Sequence, residues 1–154
     1  MQRHGWTLLF HDCLLRQLQR LSEVCERTRA AAPSDWQSNA NAKLFHALSR
    51  LMLETIPSDP SRSVYRQGTT LGKSHRHWRR AKIGRRFRLF FRYDSTAKII
   101  IYAWVNDEKT LRQAHGKTDP YAVFQKMLAQ GYPPDSWNQL LIESESRPFG
   151  AGPS

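Results

Sequence analysis

Residues 60–93 contain no aspartate or glutamate. Eleven cations stand in that window: Arg62, Arg66, Lys73, Arg76, Arg79, Arg80, Lys82, Arg85, Arg86, Arg88 and Arg92. The other 13 cations of the 154-residue chain are matched by all 13 acids, so the whole formal excess of +11 lies in this one segment. Charge concentrated in this way points to a polyanionic partner. Cysteine is scarce as well, with only Cys13 and Cys25. Both fall on one predicted helix, about 18 Å apart at the helical rise, whereas a disulfide needs Cα atoms within roughly 7 Å. Reduced thiols are therefore expected, which suits a cytosol. No apolar run approaches the ~20 residues that span a membrane. Thr7-Leu8-Leu9-Phe10 is too short for the apolar core of a signal peptide and meets His11 and Asp12 at once. Nucleotide-binding and serine-nucleophile signatures (GxxxxGK[ST], GxGxxG, GxSxG) are missing. The expectation is a soluble cytoplasmic protein without a membrane partner.

Five Trp, five Tyr, seven Phe and a 40% hydrophobic fraction supply a core. At this length about 68–70% of the unfolded surface can be buried without disulfide or metal. One domain over residues 1–146 is expected, with 147–154 a disordered tail. Residues 5–10 read as a short strand. A helix follows from Asp12, a plausible N-cap, to Arg29, with Leu14, Leu18, Leu21 and Cys25 at helical spacing. A second helix, capped by Ser34 or Asp35, runs to about Thr55 with Leu44, Leu48, Leu51 and Met52 on one face and Pro57 as its stop. The short link predicts an antiparallel helical hairpin. Residues 57–74 are loop-like.

Two basic strands come next. Over residues 78–83, alternation puts Trp78, Arg80 and Lys82 on one face. Gly84-Arg85 turns the chain into a strand over 87–93, with Phe87, Leu89, Phe91 and Tyr93 on one face and Arg86, Arg88, Phe90 and Arg92 on the other. Residues 98–105 are apolar on both faces, as a covered central strand would be. Asp119 caps a third helix with Pro120 at its first position; Tyr121, Phe124, Met127 and Leu128 form its inner face and Gly131 ends it. A last short helix spans 137–145. The class is α+β: an N-terminal helical hairpin packed on a small antiparallel sheet, with C-terminal helices.

Strands about 4.8 Å apart bring the cations of this hairpin within reach of one phosphodiester, arginine as a planar fork and lysine as a point charge. Trp78 and Phe90 are candidates to stack on unpaired bases, with Lys73, Arg76, His77, Arg79, Arg86 and Arg92 as further RNA contacts. RNA cleavage through the 2′-OH needs a proton acceptor, a proton donor and cations for the charge that grows on phosphorus. Arg80, Arg88 and Arg112 suit the last role. Lys82 can accept a proton only if neighbouring arginines depress its pKa; Asp107, Glu108 and His115 are the other carriers. His75 and His77 have a spacing that metal sites use, but no cysteine or carboxylate cluster joins them in the sequence, so neither metal nor cofactor is expected. A solvated basic face, or a binder of RNA or ribosomes that does not cleave, is the competing reading.

The chain carries the ordered runs Trp78-Arg79-Arg80-Ala81-Lys82-Ile83-Gly84, Arg86-Phe87-Arg88-Leu89-Phe90-Phe91-Arg92-Tyr93, Trp104-Val105-Asn106-Asp107-Glu108 and Thr110-Leu111-Arg112. Thr118-Asp119-Pro120-Tyr121 with Val123-Phe124, and Gly131-Tyr132-Pro133-Pro134 with Trp137, complete the set. In these runs the sequence resembles YhaV-type toxins, of the PrlF–YhaV toxin–antitoxin system and the wider RelE-like ribonuclease superfamily. The similarity spans residues 5–145. It implies a bacterial endoribonuclease that arrests growth, held in check by a PrlF-like antitoxin, with operator DNA bound only by the toxin–antitoxin complex. By strand register the superfamily's basic positions fall on Arg80, Lys82 and Arg88. Lys109 or Arg112 is the nearest match to a further basic residue after the last strand, and His115 and Tyr121 compete for a C-terminal catalytic position.

Overall fold

The apolar run that precedes Asn106 forms the middle of the sheet. A computed structural model describes residues 1–106 and 119–146. Among these residues the strands are β1 (Gln2–Arg3), β2 (Trp6–His11), β3 (Arg79–Ile83), β4 (Phe87–Asp94), β5 (Ile99–Val105) and β6 (Ser144–Glu145). They run in the order β1-β2-β5-β4-β3, with β6 pairing β2 beside β1's edge. The helices are α1 (Asp12–Ala31), α2 (Ala40–Arg50), α3 (Pro120–Ala129) and α4 (Trp137–Ile142).

The α+β class holds, but the sheet is mixed. β3, β4 and β5 form an antiparallel meander, whereas β2 lies parallel to β5. The whole of α1, α2, β3 and β4 separates those two strands in the chain, and such a separation permits the parallel pairing that a tight turn cannot make. From Ile100 to Val105 every residue of β5 is buried, because both faces of the sheet are covered. Leu14, Leu18, Leu48 and Met52 of the helical hairpin cover one face, over Leu8, Phe10, Ala81, Leu89, Phe91, Ile100 and Tyr102. Phe124, Leu128 and Leu140 of α3 and α4 cover the other, over Trp78, Phe90, Ile101, Ala103 and Trp104. A bulge in the β4–β5 pairing, between Phe90 and Phe91, skips Ala103. Ala103 and Trp104 consequently both face α3, as an extra residue in a strand allows. Phe124 then stacks on Phe90 at 4.4 Å and on Trp104 at 5.7 Å between ring centroids.

Local chemistry moves several boundaries. His11, not Asp12, caps α1: its Nδ1 accepts from the Cys13 backbone N–H at 3.0 Å. With that nitrogen an acceptor, the ring proton sits on Nε2 and is donated to Glu143 Oε1 at 2.9 Å. This bond helps hold β6 against β2, whose register pairs His11 with Ser144. The second helix begins at Ala40, capped by Asn39, after a single 3₁₀ turn over Trp36–Ser38. It continues as a π turn over Leu51–Thr55 and a last α turn over Ile56–Ser58. In the π pattern the Met52 carbonyl would take its hydrogen bond from residue 57, and Pro57 has no N–H. The buried Tyr102 hydroxyl fills that place, donating to Met52 O at 2.7 Å. α4 stops at Ile142 because the chain turns there into β6. Both cysteines are buried free thiols, and no described helix is long and apolar enough to cross a membrane.

Removing the Tyr102 hydroxyl with Tyr102→Phe should leave the Met52 carbonyl buried and unpaired, at a cost of about 1–3 kcal/mol. Urea unfolding of wild type and variant measures it, and an unchanged midpoint would refute the assignment. Hydrogen bonds from His11 and Gln139 hold the Glu143 carboxyl below its ordinary 4.5. A carboxylate with a depressed folded-state pKa stabilises above its unfolded pKa, and that share is lost as pH falls through the folded value. Thermal melts between about pH 5 and pH 3 should therefore fall less steeply for Glu143→Gln than for wild type.

Candidate active site

β3 and β4 place the basic residues by simple alternation. Ala81 and Ile83 point into the core under the helical hairpin, so Arg80 and Lys82 point to the other face, the one that carries Phe90 and Trp104. The antiparallel register sets Arg80 opposite Phe90 and Lys82 opposite Arg88. Arg80, Lys82 and Arg88 thus share one face at one end of the hairpin. Lys82 is exposed, and Arg80 and Arg88 are half-buried. Among the described residues none of the three is paired with a carboxylate.

The two arginines are nevertheless held. Arg80 donates to the Arg66 carbonyl at 3.2 Å, and its guanidinium lies 6.0 Å from the centre of the Tyr121 ring, which α3 supplies from its first turn. Its Nε is shut off from solvent with no partner among the described residues, a cost accepted to fix the group. The Arg88 guanidinium donates to the Phe87 carbonyl at 2.8 Å. The fully buried Asn106 side chain clamps the same strand end: Oδ1 accepts from the Arg88 backbone N–H at 2.6 Å, and Nδ2 donates to the Arg86 carbonyl at 2.8 Å. Gln17 of α1 does the same for the end of β5, donating to Val105 O at 2.5 Å and accepting from its N–H at 3.3 Å. In the sequence Asn106 stands out only as part of the run from Trp104 to Glu108. Its clamp depends on two chain segments that meet only in the fold.

Two expected RNA contacts are corrected. Trp78 and Phe90 are 0% exposed; both are sealed under Phe124, so neither ring can stack on a base. Alternation identified their face, but not the helix that covers it. Arg92 is half-buried and its side chain is already engaged. Its guanidinium lies between the Trp78 and Trp137 rings at 5.6 and 5.3 Å, and it donates to the Asp135 carbonyl at 2.6 Å. Burial holds its pKa below the usual arginine value, an effect the Asp135 charge opposes without cancelling. Arg79 lies over Tyr93 at 5.6 Å. Lys73, Arg76, His77 and Arg86 are exposed, Arg86 in the turn between β3 and β4. Asp107, Glu108, Lys109, Arg112 and His115 lie outside the described residues.

A second polar cluster was not foreseen. Asp135 Oδ1 accepts from His75 Nδ1 at 2.9 Å, His77 Nε2 at 2.8 Å and Trp78 Nε1 at 2.8 Å. Burial pushes the Asp135 carboxyl up, but the hydrogen bonds from Trp78, His77 and His75 outweigh it and leave the group below its usual range.

The chain was compared with known proteins against this geometry. Residues 8–145 match a family described as a toxin with endonuclease activity, of a toxin–antitoxin system. "Ribonuclease toxin YhaV" of Escherichia coli strain K12 is 40% identical over 144 residues, covering 92% of this chain and 94% of that protein. "Toxin YhaV" of Escherichia coli O157:H7 has the same identity and coverage. No solved structure gives a significant match. With the family match running from β2 to β6 and so taking in the whole basic hairpin, the chain belongs to the YhaV family of toxin–antitoxin endonuclease toxins.

Proposed function

We propose that this chain is a cytoplasmic endoribonuclease toxin that cuts RNA by attack of a ribose 2′-OH on the neighbouring phosphate, without a metal ion. The observation that carries the reading is the cross-strand pair of Lys82 and Arg88 beside Arg80 on one face, with no carboxylate on any of them among the described residues. Three cations around one phosphodiester offset the negative charge that grows on the non-bridging oxygens as the 2′-oxygen attacks. The attacking group belongs to the substrate, so no activated water is needed and DNA, which lacks that hydroxyl, is not cut by this route. The ribonuclease name of the strain K12 relative supports RNA as the substrate. Asp107 and His115 are the candidates for moving the two protons, with Arg112 as a further charge on the phosphate. Residues 1–146 act as one toxin domain. A PrlF-like antitoxin would neutralise it with an acidic segment laid on the same cations, and operator DNA would be bound only by that complex.

Labelled RNA incubated with the purified toxin in EDTA should yield 2′,3′-cyclic phosphate ends. An Arg80→Ala, Lys82→Ala, Arg88→Ala variant should lose at least roughly 100-fold in rate, since single electrostatic stabilisers are worth about 10²–10³. Unimpaired cleavage would remove these residues from the mechanism, and RNA binding without cleavage by the wild type would make the protein a binder. On an uncleavable 2′-deoxy analogue, log K should fall with log [salt] by about 0.7 per phosphate neutralised. Lys82→Ala should reduce that slope by about one such step, as fluorescence anisotropy would show.

A further inference from the structure

The hydrogen bonds on Asp135 are unbalanced. All three N–H donors converge on Oδ1, although a carboxylate oxygen offers only about two lone-pair sites. The two imidazoles come from one short turn before β3, and the carboxylate from a segment 58 and 60 residues further on. The His75, His77 and Asp135 ligand atoms all lie within 4.8 Å of one another. Crowding of this kind is relieved if the imidazole nitrogens face a cation rather than a single oxygen.

We propose that His75 Nδ1, His77 Nε2 and the Asp135 carboxylate form a binding site for one divalent transition-metal ion, zinc being the best fit. Two imidazoles and one carboxylate are a zinc donor set, and too rich in nitrogen for calcium or magnesium. Side-chain exposures of 19%, 36% and 37% leave a path for the ion and room for water as a fourth ligand. Trp78 Nε1 donates to the same carboxylate at 2.8 Å, as the outer partners of metal ligands commonly do to fix a ligand's orientation. The segment that carries Asp135 is itself anchored: Pro133 and Pro134 are buried, and the Asp135 carbonyl accepts from Arg92. The ion would tie the turn that leads into β3 to the link between α3 and α4. Its role is to brace the scaffold, and it touches none of Arg80, Lys82 and Arg88. The nearby Arg92 charge makes the site weaker than a closed four-ligand zinc site. The missing carboxylate that argued against a metal in the sequence is supplied by tertiary structure.

The test uses the full chain without a histidine tag, stripped with a chelator and titrated with Zn²⁺ and Co²⁺. One equivalent of Zn²⁺ should bind by calorimetry, and Co²⁺ should develop visible d–d absorption. At a hundredfold excess over Kd, Zn²⁺ should raise the folded-to-unfolded ratio about 100-fold. Ring NMR signals of His75 and His77 should move on zinc addition while those of His4 and His46 stay in place. His77→Gln and Asp135→Asn should each abolish the one-equivalent isotherm, and His46→Ala should leave it intact. No uptake by the wild type, zinc-induced shifts elsewhere, or full binding by His77→Gln would overturn the site. The NMR readout decides on wild-type protein even if a variant fails to fold. RNA cleavage in EDTA is a separate readout, so loss of the nuclease reading and loss of this site remain distinguishable.

Discussion

Lys82 and Arg88 stand directly opposite each other across an antiparallel strand pair. Like charges in that position destabilise a sheet by a few tenths to about 1 kcal/mol, and among the described residues no acid relieves this pair. The architecture supplies what opposes the repulsion. β4 is paired with β5 from Leu89 to Asp94, Leu89 and Phe91 are buried under the helical hairpin, and Phe90 is stacked beneath α3. Burying one such aromatic or aliphatic side chain contributes about 1.5–3 kcal/mol. The two-sided core can therefore hold a hairpin that its own charges would push apart.

The cations divide by use. Arg92 spends its guanidinium between two indole rings and on a backbone carbonyl, and Arg79 lies on Tyr93. They belong to the wall of the protein as much as to its electrostatic field. Lys82 is open to solvent, and Arg80 and Arg88 keep their charge on the face beside Tyr121 while backbone carbonyls steady them. Charge density along the sequence therefore overstates the number of groups free to meet a polyanion.

Patterns local to one strand or helix were legible from residues alone. The alternation over residues 87–93 placed Leu89 and Phe91 on one face and Arg88 and Phe90 on the other, as found. Asp119 and Pro120 start α3 where the capping chemistry puts them. Features that depend on two distant segments were not legible. The period of a strand tells which side chains share a face; it does not tell that Phe124 will sit on Trp78 and Phe90. Nor does it reveal that β2 joins β5 in parallel, or that Asp135 reaches His75 and His77. The π turn is an intermediate case. Pro57 announced a stop, but the orphaned Met52 carbonyl could end there only because Tyr102, on another element, had a hydroxyl to offer.

A basic face can also exist only to keep a sheet edge from pairing with another chain. β3 is such an edge, and Arg and Lys on an edge strand are a common guard. That reading accounts for Arg80 and Lys82, since both are on β3. It does not account for Arg88, which is on β4, a strand paired with β3 on one side and, from Leu89 onward, with β5 on the other. The backbone there is already closed on the β5 side by Asn106, which takes the Arg88 N–H, and an uncharged residue would spare the sheet its repulsion with Lys82. With the Arg88 N–H and the Arg86 carbonyl both held by the buried Asn106 amide, the strand end has no need of a charge to guard it. A cation placed at a cost in stability, where the backbone is already satisfied, is better explained by what it meets from outside than by what it keeps away.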